Sequence, residues 1–201
     1  MIRTVSCPSC GSPIELPYRA ARITTCPACD TVSAITRDGL DATGKTAALS
    51  DFMSALRTGA GGRLEGRGFL TLGRARYAYR DGYWDEWFLL FDDGTEAWID
   101  EDEGELTLLQ ITNEGEAPPG YDALQTGRTA RVGGREMYIT ERRTAKVDGI
   151  EGQLPRDVRP GAAVRYVEGT AGAVAMKLAE LDGVASVFIG RVLDPDTLVL
   201  D

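Results

Sequence analysis

Phe69-Leu70-Thr71-Leu72-Gly73-Arg74-Ala75-Arg76-Tyr77-Ala78-Tyr79-Arg80-Asp81-Gly82-Tyr83-Trp84-Asp85-Glu86-Trp87-Phe88-Leu89-Leu90-Phe91 is two β-rich runs broken by a turn dipeptide. Apolar and aromatic residues alternate or run in short blocks on both sides of Asp81-Gly82, the pattern of an antiparallel hairpin. With Asp81-Gly82 as a two-residue turn, Tyr79 faces Trp84, Tyr77 faces Glu86 and Arg76 faces Trp87. One face then carries Arg74, Arg76, Tyr83, Asp85 and Trp87, with Arg76 over Trp87 as a cation–π pair beside Asp85. The other face carries Ala75, Tyr77, Tyr79, Trp84, Glu86 and Phe88. A carboxylate among those rings is expected either to bond Tyr77 or to be raised in pKa. Such a hairpin is either a ligand or partner pocket anchored on Glu86, or a satisfied buried carboxylate that fixes register.

The same signals continue along the chain. Short apolar blocks at Ala97–Ile99, Leu106–Ile111, Tyr138–Thr140, Val164–Val167, Val184–Ile189 and Leu198–Leu200 read as strands between turns. Residues 173–181 carry helix formers but sit between strands and end at Asp182-Gly183, which favours a strand. The 24 glycines fit a turn-rich, mainly β chain. Asp100-Glu101-Asp102-Glu103-Gly104-Glu105 reads as a solvated turn. Leu56-Arg57-Thr58-Gly59 recurs as Leu124-Gln125-Thr126-Gly127, Arg63–Arg67 as Arg131–Arg135, and Phe69 as Met137, all at one offset. The expected architecture is a small N-terminal zinc ribbon followed by a duplicated antiparallel β unit, barrel- or sandwich-like. The boundaries are 1–37 for the ribbon, 38–54 for a linker, 55–116 for the first β repeat and 121–201 for the second. The second repeat is expected to turn at Asp148-Gly149.

The ribbon follows from Cys7-Pro8-Ser9-Cys10-Gly11 and Cys26-Pro27-Ala28-Cys29-Asp30. Two C-x-x-C pairs at this spacing fit a tetrathiolate zinc site, with Cys7, Cys10, Cys26 and Cys29 as ligands. Gly11 supplies the positive φ that closes the first knuckle. Four protein thiolates leave no open coordination position, so the zinc is structural. Gly39–Thr46 matches G-x-x-x-x-G-K-T, but no βαβ series surrounds it, so it reads as linker. One or two helical turns are expected within residues 47–57.

Composition narrows function. There is no histidine, which removes His-based triads and shuttles. The formal net charge is −9, and Asp81–Glu116 carries no Lys or Arg, so nucleic acid is disfavoured as a partner. Met1–Thr4 lacks an apolar signal core and no apolar run approaches the ~18 residues of a transmembrane segment. The expectation is a cytoplasmic protein.

Leu56-x-x-Gly59, Gly66-Arg67-x-Phe69, Gly73-Arg74, Tyr83-Trp84-Asp85-Glu86-Trp87-x-Leu89 and Gly94-x3-Trp98 resemble the bacterial family named domain of unknown function 4178. Glu151–Pro155, Tyr166 and Phe188-x-Gly190 extend the resemblance through the second half, with Glu168 where the family pattern has Asp. The resemblance implies an N-terminal zinc module and no assigned activity. By gene association it implies an accessory role beside a membrane-stress or polyamine-linked system. Three readings follow. The first is a non-enzymatic interaction or adaptor protein, with a protein partner held by exposed Trp84 or Trp87. The second is a small-ligand sensor, binding a cation such as a polyamine through Arg76, Tyr77, Trp84, Asp85, Glu86, Trp87 and Trp98. The third is an enzyme with Glu86 or Asp85 as acid or base, which would need a partner carboxylate or lysine in a cleft.

Overall fold

The computed structural model describes residues 2–46, 49, 54–112 and 117–201. It contains sixteen strands: β1 Arg3–Ser6, β2 Pro13–Leu16, β3 Ile23–Thr25, β4 Thr31–Ile35, β5 Leu40–Thr46, β6 Gly61–Leu64, β7 Arg67–Tyr79, β8 Gly82–Phe91, β9 Glu96–Asp102, β10 Glu105–Thr112, β11 Thr129–Val132, β12 Arg135–Leu154, β13 Ala163–Ala171, β14 Val174–Leu181, β15 Val184–Val192 and β16 Leu198–Leu200. Two short 3-10 turns, Tyr121–Ala123 and Pro195–Thr197, complete the described elements. The chain is mainly β, as its alternation indicates, and residues 174–181 form a strand.

Eight strands close on themselves in the order β7-β8-β9-β10-β15-β14-β13-β12, with β12 returning to β7. Full closure leaves no open edge within this ring. Both predicted repeats therefore contribute to one barrel: β7–β10 come from the first and β12–β15 from the second. Its lumen is filled by residues from all eight strands, among them Tyr77, Phe88, Trp98, Leu109, Ile150, Val164, Ala179 and Phe188. Two apolar clusters flank the barrel outside. Leu56, Leu64 and Phe69 anchor one, with Trp87, Leu89 and Ile99. Leu124, Val132 and Met137 anchor the other, with Val167, Leu178 and Val187.

Closure depends on β12, the longest strand. The sequence suggested a turn at Asp148-Gly149, but the strand runs through it with a bulge between Val147 and Gly149. Residues 138–146 pair with β13 and residues 146–152 with β7, so one strand serves both neighbours and a turn would open the ring. Its last residues, Gln153 and Leu154, pair with β3.

The N-terminal module is thereby built into the barrel. Tyr18, Ala21, Ile23 and Val32 belong to the same buried cluster as the lumen residues. The Tyr18 ring packs on Phe88 at 5.3 Å, and its hydroxyl donates to Glu96. The predicted linker is in part a strand. Leu40–Thr46 pairs with β4, so the G-x-x-x-x-G-K-T match lies on a strand and forms no phosphate loop. The helical turns expected within 47–57 fall largely outside the described residues.

The hairpin register also differs. Tyr79 pairs with Gly82, Tyr77 with Trp84, Arg76 with Asp85 and Arg74 with Trp87, so the turn spans Arg80 and Asp81. Gly82 is therefore a paired residue. An added Cβ there would sit 2.8 Å from the Tyr79 hydroxyl oxygen, so Tyr79 would have to shift. The slip is by two residues along the partner strand, so both faces keep their predicted members.

Candidate functional site: a buried lysine in an acidic, aromatic pocket

β8 alternates inward and outward, and the predicted hairpin residues separate accordingly. Tyr77, Trp84, Glu86 and Trp98 enter the lumen, while Arg76, Asp85 and Trp87 lie outside. On the outer side, Arg76 grips Asp85 through Nε (2.9 Å) and a terminal nitrogen (2.7 Å). Arg74 reaches the same carboxylate at 3.5 Å and Glu151 at 2.6 Å. Trp87 has a cation–π partner, but it is Arg74 in place of the expected Arg76. Arg74 lies 4.8 Å over Trp87 and Arg76 lies 4.1 Å over Tyr83, because the register moved. Trp87 Nε1 donates to Glu101. Trp84 is 3% exposed, Trp87 1% and Trp98 2%, so none presents the open docking anchor expected of an adaptor.

The sequence offers Glu86 a bond to Tyr77 or a raised pKa; its charged partner is instead a lysine, and its pKa is lowered. Lys177 of β14, 2% exposed, places its Nζ 2.9 Å from Glu86, donates to Asp100 at 2.6 Å and approaches Glu168 at 3.4 Å. The ammonium sits 4.7 Å from the Trp84 ring and 5.7 Å from that of Tyr166. Glu86 is held below its usual range despite burial, because Lys177 and Arg156 favour its charge. Asp100 is pushed up to about 7 by burial and by Glu86 and Glu168, against the pull of Lys177. Asp102 is raised by burial and by its neighbours Glu103, Glu168 and Glu141. Lys177 is held well above its normal value by these carboxylates. Oε2 of Glu86 is fully shielded and has no hydrogen-bond partner among the described residues.

A cavity of about 230 Å³ opens over this cluster, walled by Trp84 and Tyr166 and rimmed by Asp102, Glu105 and Glu141. It takes residues from both halves of the barrel, at the end of β12 away from the N-terminal module. The acidic run expected to be solvated is split. Glu103 and Gly104 adopt positive φ to make the β9–β10 turn, while Asp100 points into the cluster.

Lys177 was not among the residues picked from the sequence. Its signal was a lone cation in Ala173-Val174-Ala175-Met176-Lys177-Leu178-Ala179-Glu180-Leu181, at a position in phase with the buried Ala179 and Leu181. The helix propensity of the same run masks that phase.

The second site lies in the N-terminal module. The two knuckles share one geometry: Gly11 N–H donates to Cys7 O and Asp30 N–H to Cys26 O, each at 2.9 Å. Gly11 and Asp30 both have positive φ. The thiol sulfurs of Cys7, Cys10, Cys26 and Cys29 lie within 4.8 Å of one another, two of the separations being 3.7 Å. A tetrahedral ion with ~2.3 Å metal–sulfur bonds sets sulfurs about 3.8 Å apart, the spacing those two pairs have, so the cluster could hold a metal ion. Among the described residues no other group of His, Cys, Asp or Glu comes together this way.

Comparison with known families finds a match over residues 57–195 to the family described as domain of unknown function (DUF4178). The chain belongs to this family. The matched span covers the whole barrel and stops short of the cysteine module. No curated protein and no solved structure matches. Among the described residues no helix is long and apolar enough to cross a membrane.

Proposed function

We propose that this DUF4178 protein is a receptor for a small cationic amine, taken into the barrel pocket over Lys177. The observation that carries the reading is that the pocket already holds an alkylammonium. The side chain of Lys177 is a primary amine on a butyl chain, enclosed by three carboxylates and faced by two rings. A group of that chemistry is what such walls select. The rim carboxylates Asp102 and Glu105 offer further negative charge for a second ammonium. Among the described residues no carboxylates cluster tightly enough to share one metal ion, which favours an extended organic cation. The cavity is smaller than the ~300–1,000 Å³ of drug-sized sites, so a thin polyamine entering by one end suits it.

The adaptor reading loses its tryptophan anchors to burial. An acid–base enzyme does find a lysine and a second carboxylate beside Glu86. The salt-bridged Lys177, however, holds both its own proton and the charge of Glu86, which suits binding more than proton transfer. Zinc is the proposed ion for the four thiolates, as the donor set selects it, and its role is to hold the base of the barrel. We read the two halves as copies of one β unit.

Spermidine titration tests the receptor reading. Spermidine at millimolar concentration is expected to raise the melting temperature by several degrees, and Glu168→Gln is expected to weaken that shift. Raising salt should weaken it too. No stabilisation in low-salt buffer removes the receptor reading.

A further inference from the structure

The lumen cluster has a surplus of negative charge. Glu86 from β8, Asp100 from β9 and Glu168 from β13 converge on one ammonium. Around them the other ionisable groups include Tyr77 on β7, Asp102 on β9, Glu105 on β10, Glu141 on β12 and Tyr166 on β13. Glu141 is engaged by Arg143 and by the Tyr166 hydroxyl. Arg156 adds positive potential at Glu86 while lying over the Phe188 ring. Lys177 is thus the one cation in direct contact with Asp100 among the described residues. Crowding three carboxylates onto one ammonium, with Glu86 buried, Asp100 nearly so and Glu168 part-exposed, is costly when all are charged, and a proton is the cheapest neutraliser.

Resting on the amine-receptor reading, we infer that the pocket exchanges a proton for its ligand: Asp100 holds that proton when no amine is bound and releases it to solvent when one enters. The charge balances as one positive group in and one proton out, with no covalent bond made or broken. Burial beside Glu86 and Glu168 brings Asp100 to about 7, so the proton is present over the lower half of the neutral range. An incoming ammonium lowers that value. Affinity for a permanently charged amine therefore rises with pH across neutrality, by about tenfold from pH 6 to pH 8 for one linked proton.

The test uses putrescine, whose ammonium groups stay charged over this interval, and the full chain. Calorimetric titration at pH 7 in phosphate and in Tris is expected to give enthalpies that differ with the buffer, corresponding to about half a proton released per ligand. In Asp100→Asn affinity should fall, and the enthalpy that remains should no longer depend on the buffer. Equal enthalpies in wild type, or a difference that survives in Asp100→Asn, overturns the inference. Carbon-13 carboxyl NMR of the ligand-free protein gives a separate readout. One aspartate carboxyl should titrate near neutrality, and Glu168→Gln should lower its midpoint. If no aspartate titrates between pH 6 and 8, the proton-holding role is overturned even where putrescine binds. Putrescine that fails to bind while the aspartate titrates as expected overturns the receptor reading and, with it, the exchange.

Discussion

At Lys177 the consequence of removing one ammonium is set by what remains. Lys177→Met keeps the length and packing of the stem but leaves Glu86, Asp100 and Glu168 without their shared cation. Removing one partner of a buried ion pair costs about 3–5 kcal/mol, because the surviving charge stays desolvated. The expected result is a loss of that size in urea unfolding at pH 7. The sign with pH follows from the carboxylates. Without Lys177 their folded-state values rise above the unfolded ones, so their penalty is fully present above the raised values. It fades as pH falls towards the unfolded range near 4. The gap between Lys177→Met and wild type should therefore narrow at pH 4.5. A gap independent of pH would mean that lost packing, not orphaned charge, is responsible. At this scale the sequence showed half the site. Glu86 stood out because Trp84 and Phe88 flank it in one short run. Asp100 was hidden in an acidic run that looked solvated, and Lys177 in a run of helix formers. Their meeting is a lumen contact between β8, β9 and β14, and no local pattern encodes it.

The elements explain why the two halves give one polar and one apolar file of residues. From the bulge in β7, Gly73 pairs with Phe88, Phe88 with Trp98 and Trp98 with Leu109. From the bulge in β12, Glu141 pairs with Glu168, Glu168 with Lys177 and Lys177 with Phe188. The ladders correspond step for step, yet one is lined by aromatic rings and the other by charges. The offset that aligns Leu56 with Leu124 and Phe69 with Met137 therefore marks the outer clusters and loses its trace inside. Hydrogen bonds keep it: Gly59 N–H donates to Thr71 O, and Gly127 N–H to Ile139 O. The β7–β12 pairing that closes the ring includes two glycines face to face, Gly73 and Gly152. Gly152 has φ of +65°, and an added Cβ would lie 2.2 Å from Leu72 O. Gly152→Ala thus meets both a strained backbone and a backbone clash that no side chain can relieve, with an expected loss of about 2–3 kcal/mol. Gly120→Ala, where the added carbon meets nothing, should be neutral by the same denaturation measurement.

For the whole molecule, the arrangement of module and barrel decides how the protein comes apart. The spacing of the cysteines suggested a ribbon joined to the β region by a linker. Instead β3 continues the sheet from β12, Thr25 Oγ1 donates to Ile150 O at 3.1 Å, and Tyr18 and Ile23 share the lumen cluster with Phe88. The sequence could reveal the knuckles, because ligands three residues apart are a local pattern. It could not reveal what the knuckles rest on, because Leu154 and Phe88 lie far away in the chain. Loss of a structural metal removes the folding free energy of its module. Here that loss would expose the apolar base of the barrel, since Tyr18, Ala21, Ile23 and Val32 are its cover. Treatment with a strong chelator is therefore expected to lower the melting temperature of the whole chain in one transition, followed alike by far-ultraviolet circular dichroism and tryptophan fluorescence. Tyr18→Ala should reproduce part of the effect with the metal in place, at about 3 kcal/mol for a buried aromatic ring. Two separate transitions, with the tryptophan signal unmoved by chelator, would show that the barrel stands without its base.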